Sequence, residues 1–151
     1  AVFTFLYPAL IAANAAQNAG QFKTKLRQLT VQTTALTVIF AIVAWLATGP
    51  ILEWLNRPVY IENQSLFGWL LLGTSLFVLS MVPHFALYAR GHDKPIIVSH
   101  MAGFVVFVIS TWLWEQTTTL LAVPLGLVSA FAFILAIKSW HFYRLTPSAW
   151  R

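Results

Sequence analysis

Cysteine is absent from this chain of 151 residues, and only four side chains are acidic against nine lysines and arginines. Without cysteine there is no disulfide framework, no thiolate metal ligand and no thiol nucleophile, and the redox compartment leaves no mark. The few carboxylates are not paired at a spacing that would hold two together, and no Cys–His or HExxH-type arrangement occurs. The chain therefore reads as a non-enzyme with no cofactor and no metal site. Charge of any sign is scarce, 9% of residues against 59% hydrophobic, whereas a soluble domain carries about 25% charged residues. Thirteen charges cannot coat a soluble surface and keep its apolar patches small, so the solvent expected here is a bilayer. A pI near 10.0 does not imply nucleic acid, because the basic residues are separated by lipid-length stretches and form no single stripe.

The uncharged stretches count the membrane crossings. Residues 1–22, 28–52, 63–89, 95–114 and 116–137 hold no Asp, Glu, Lys or Arg, giving gaps of 22, 25, 27, 20 and 22 residues. A helix crossing about 30 Å of hydrocarbon needs about 20 residues, so each gap holds one crossing and none holds two. Backbone in lipid must satisfy its own hydrogen bonds, so all five are expected to be helices, at 2–16, 29–47, 66–88, 96–114 and 120–142. The class is all-α, a polytopic membrane helix bundle in one transmembrane domain. The chain lacks an initiator methionine and its first residues, AVFTFLYPALIAA, read as the middle of a span with no signal-peptide n-region, so a fragment is expected.

Loop charge gives sidedness. The first connection carries Lys23, Lys25 and Arg27, with Asn18 and Gly20 available to end a helix. The second has Arg57 against Glu53 and Glu62, the third Arg90 and Lys94 against Asp93, the fourth only Glu115, and the tail Lys138, Arg144 and Arg151. Basic and non-basic connections alternate as five crossings require. The expectation is a multi-pass protein of the cell (inner) membrane, with the N-terminus of the fragment outside and the C-terminus cytoplasmic. Trp45, Trp54, Trp69, Trp112, Trp114, Trp140 and Tyr88 fall near span ends, as an interfacial belt would. Pro8, Pro83 and Pro124 fall in or at the edge of spans, as ordinary kinks or as hinges; Pro50, Pro58 and Pro95 are expected to mark loops.

Four stretches in this order resemble the multidrug/oligosaccharidyl-lipid/polysaccharide (MOP) flippase superfamily, nearest its polysaccharide-export branch. They are FLYPAL at 5–10 before a basic linker, GPILEWLNRPVY at 49–60, LYARGHDKP at 87–95 and VPLGLVSA at 123–130. Members have two pseudo-repeated lobes of six helices, and this chain resembles the last five helices of one lobe. The resemblance implies part of a flippase or exporter moving lipid-linked oligosaccharide or polysaccharide precursors, working against a missing second lobe. Cation-coupled multidrug efflux is the alternative within the superfamily, and a non-transporting scaffold subunit the alternative outside it. No carboxylate lies in mid-span, where efflux coupling would favour one.

Several residues are candidates for the chemistry. Thr30, Thr33, Thr34, Thr37, Ala41, Ala44 and Thr48 recur at steps of three and four and share a helical face. Such a face suits a hydrated path for sugars, with Thr33 and Thr37 at its centre, or close packing of another helix. Arg27, Arg90 and Lys94, with Lys23 and Lys25, gather on the expected cytoplasmic side, where they suit a lipid pyrophosphate or simply set topology and touch lipid headgroups. His84 and His100 each lie about 6 Å inside a span end. They suit a proton-linked role or interfacial hydrogen bonding. Glu115 suits a coupling-ion ligand or a solvated turn.

Overall fold

The computed structural model describes the backbone of residues 2–56 and 58–150 and the side chains of residues 6–56 and 58–150, so Ala1, Arg57 and Arg151 lie outside it. Its elements are α1 (Val2–Ala15), α2 (Ala19–Leu55), α3 (Pro58–Glu62), α4 (Gln64–Ala89), α5 (Asp93–Glu115) and α6 (Ala122–Leu145), with 3-10 turns at Thr119–Leu121 and Ser148–Trp150. Among the described residues there is no strand. The chain is an all-α helix bundle. Four helical stretches, Ala19–Leu55, Gln64–Ala89, Asp93–Glu115 and Thr119–Leu145, are long and apolar enough to cross a membrane, and Leu6–Ala15 is a shorter apolar helix.

The ends of these helices differ from the expected spans in instructive ways. The span at 29–47 sits inside a helix of 37 residues, about 55 Å at 1.5 Å per residue and so longer than a hydrocarbon core. The basic stretch expected as a loop is helical from Ala19 onward, because Lys, Thr, Arg and Gln are good or tolerable helix residues outside lipid. Asn18 and Gly20 do not end α1. Gln17 does, in the left-handed region at φ 52°, with Asn18 N–H reaching the Ala13 carbonyl at 3.0 Å. Asn18 then caps α2, its side-chain oxygen accepting from Gln21 N–H at 2.9 Å. Pro50 lies within α2 rather than in a loop, Pro58 opens α3, and Pro95 sits in the first turn of α5, where a missing N–H costs no helical bond. Gly91, at φ +74°, closes α4 with His92 N–H on the Leu87 carbonyl at 3.0 Å, which turns the chain directly into α5.

Packing is centred on α6, which lies along both α4 and α5, while α2 lies on α4 and α1. Glycines set the closest approaches. A Cβ at Gly103 would stand 2.5 Å from the Ile134 side chain, and one at Gly126 would overlap the Thr111 hydroxyl. Hydroxyls inside the helices turn back on their own backbone, as Ser75 does to Leu71 (2.7 Å), Ser110 to Val106 (2.6 Å) and Ser129 to Leu125 (2.9 Å). The outer surface is apolar: Val31, Phe40, Ile97, Met101, Phe104 and Trp112 are each more than half exposed.

One end of the bundle is basic. Phe22 at the start of α2, Arg90 at the end of α4 and Trp150 in the tail meet there, with the Arg90 guanidinium 4.9 Å from the Trp150 ring and 6.0 Å from the Phe22 ring. The three basic segments identified in the sequence therefore share an end, and Glu53, Glu62 and Glu115 belong to the opposite one.

Candidate functional site

Two arrangements stand out. The first is a buried cluster of bases between α4, α5 and α6. Lys138 is fully buried, and its Nζ lies 3.3 Å from His84 Nδ1 on α4 and 3.0 Å from His100 Nε2 on α5. The three side chains meet because α6 runs between the other two helices. The imidazole rings are 6.1 Å apart, and Phe85 stands edge-on to His84 at 5.2 Å. An ammonium only donates hydrogen bonds, so each histidine accepts on an unprotonated nitrogen. With Lys138 as the ammonium, the proton of His84 is on Nε2 and that of His100 on Nδ1. Lys138 is seven residues from the end of α6, about 10 Å below the basic end at 1.5 Å per residue.

The structure brings His84 and His100 to the same partner, Lys138 Nζ. Lys138 was the residue missed, read as part of the tail's charge. It is the sole Asp, Glu, Lys or Arg inside any of the five expected spans, and an intramembrane charge is costly enough to be a candidate functional position. That signal was present in the sequence.

The second arrangement is a file of clefts along the seam between α2 and α4. At the basic end a cleft of about 560 Å³ is lined by Lys23, Arg27, Thr30 and Thr34 of α2, by Leu79, Val82, Pro83 and Ala86 of α4, and by Leu135, Ser139 and Tyr143 of α6. Next along the seam, about 380 Å³ is enclosed by Thr33, Thr37, Ala41 and Ala44 of α2 and by Leu71, Thr74, Ser75 and Val78 of α4. A third cleft of about 250 Å³ lies between Thr48 and Leu52 and α4 residues Leu66, Phe67 and Leu70. The threonine face of α2 lines all three. Thr33 Oγ1 is buried there without a hydrogen-bond partner, a donor left over for a guest.

The basic candidates separate. Arg27 lines the mouth of the seam beside Lys23. Arg90 does not line it; its guanidinium is stacked on Trp150, burial draws its pKa below the usual value, and Nε and Nη1 have no hydrogen-bond partner. Lys94 is exposed on the first turn of α5.

Fold and site together define a helical bundle built for a membrane, with a buried base cluster and a hydroxyl-lined seam. Compared with protein families, curated proteins and solved structures, the chain matches none.

Proposed function

We infer that the chain is the membrane part of a flippase or exporter that moves a lipid-linked oligosaccharide or polysaccharide precursor across the cell membrane, acting with a second lobe. The observation that carries this reading is the seam between α2 and α4, which has cations at its mouth, hydroxyls along its floor and apolar side chains at its rim. An amphiphile with a phosphate head, a saccharide and a hydrocarbon tail needs those surfaces in that order. Lys23 and Arg27 receive the phosphate, the Thr30, Thr34 and Thr37 hydroxyls exchange hydrogen bonds with sugar, and the tail stays among lipids. In this reading the basic end is cytoplasmic, the C-terminus lies there too, and the N-terminus of the chain faces outside, as the loop charges imply. The resemblance to the polysaccharide-export branch of the MOP superfamily agrees with it. Alternating access between two lobes would carry the cargo across.

Binding of farnesyl pyrophosphate to the protein in nanodiscs tests the charged mouth. Hydrogen bonds to charged groups contribute about 1.5–3 kcal/mol each, so Lys23→Gln with Arg27→Gln is expected to weaken binding about a hundredfold or more. Lys94→Gln, away from the seam, is expected to leave it unchanged. Equal binding by the double variant would remove the phosphate role. A scaffold reading is favoured by one observation, the small face of Thr37, Ala41 and Ala44, which suits another helix. It predicts no binding of the probe by any form of the protein.

A further inference from the structure

The cluster of Lys138, His84 and His100 is not part of the seam. Pro83 and Ser139 line the cleft at the basic end, while their chain neighbours His84 and Lys138 turn away from it toward α5. Three bases meet there with no carboxylate among them. The other ionisable groups on the surrounding elements at this end are Tyr88 and Arg90 at the end of α4, Asp93 and Lys94 on α5, His141, Tyr143 and Arg144 on α6, and Lys23, Lys25 and Arg27 on α2 across the cleft, with Glu53 and Glu115 at the far ends of α2 and α5.

We propose that Lys138, His84 and His100 form a proton-binding clamp, in which one added proton releases α6 from α4 or from α5. The donor and acceptor inventory requires it. Lys138 Nζ donates to the lone pair of His84 Nδ1 and of His100 Nε2, so these two bonds tie the central helix to both neighbours. A proton arriving from the aqueous phase at the basic end, about 10 Å away, takes up one of those lone pairs. The imidazole then has no acceptor left for Lys138, and a hydrogen bond becomes one cation against another in a dry interior. Separation of the helices, which lets water reach the charges, relieves that repulsion. The wall of the cleft moves with them, because Pro83 and Ser139 are rigidly joined to His84 and Lys138. The clamp depends on the side chains alone and stands whatever the cargo of the seam proves to be.

Spin-label distances from position 136 on α6 to position 101 on α5 and to position 88 on α4, all exposed, test both sides of the clamp in the intact chain in nanodiscs. Between pH 8 and pH 4 one of the two wild-type distances is expected to lengthen on the order of 2 Å, the scale of helix shifts at packed interfaces. His84→Gln with His100→Gln keeps an acceptor oxygen on each side that cannot bind the proton, and is expected to hold the pH 8 distances at both values. Nitrogen NMR of the wild-type imidazoles supplies a second readout, with His84 or His100 gaining a proton over the same interval as the movement. Wild-type distances that both stay constant, a glutamine variant that moves as far, or imidazoles that stay neutral throughout would each overturn the clamp.

Discussion

Replacing His84 and His100 together with leucine is expected to destabilise the bundle far more than replacing Lys138 with methionine. The double variant leaves an ammonium with no acceptor at a position that is 0% exposed, and an uncompensated buried charge costs about 3–5 kcal/mol. Lys138→Met removes the charge itself and puts an apolar chain of similar length in its place. Two neutral histidines then lose one partner each, and because both rings are partly exposed each loss falls toward the low end of about 1–3 kcal/mol. The triple variant is expected to recover most of the loss of the double, because nothing charged remains to be buried. Unfolding midpoints in detergent, ranked across the three variants, check the order. Equal losses in the double and in Lys138→Met would mean that Lys138 is not held as an ammonium by the two rings.

Gly126→Ala is expected to separate α5 from α6, with a net loss of about 1–3 kcal/mol, the usual cost of one group too many in a packed interface. The added methyl would overlap the Thr111 hydroxyl and come 3.2 Å from its Cβ. Alanine is the better helix former by about 1 kcal/mol, so the overlap has to outweigh a gain. Thr111→Ala removes the overlapping oxygen and is expected to restore most of the stability, as a double-mutant cycle would read. Gly49→Ala serves as the contrast. No other element comes within 4 Å of its added Cβ, so nothing like the Thr111 overlap opposes the change, and only the ring of Pro50, next in the chain, offsets part of the helix-propensity gain.

The helices were legible because lipid leaves the backbone one answer; the gaps between charges implied five crossings, and four helices are long and apolar enough to cross, while the first expected span is the shorter apolar helix Leu6–Ala15. Their ends were not. Charge marks where a chain leaves hydrocarbon, but a helix continues into water if its residues allow it, as α2 does through Lys23, Lys25 and Arg27. Pro50 looked like a loop residue because Gly-Pro breaks helices in water; within a long helix held by its neighbours it removes only one hydrogen bond. The threonine face of α2 was readable from its spacing of three and four. The partner it faces, Thr74 and Ser75 on α4, was not, since no pattern in α2 identifies which helix packs beside it. The base cluster shows the same limit. His84 and His100 could be singled out one by one, but Lys138 is separated from them by 54 and 38 residues, and only the packing order α4, α6, α5 joins them.

Everything proposed for the seam rests on water and polar cargo reaching the threonine face of α2. The chain has no cysteine, so single cysteines along α2 can be probed one at a time with a membrane-impermeant thiol reagent. The account predicts labelling at positions 30, 34, 37, 41 and 44, which line the seam, and protection at 39, 42 and 46 on the apolar outer face. Protection at all eight positions, or labelling with no helical period, would contradict it.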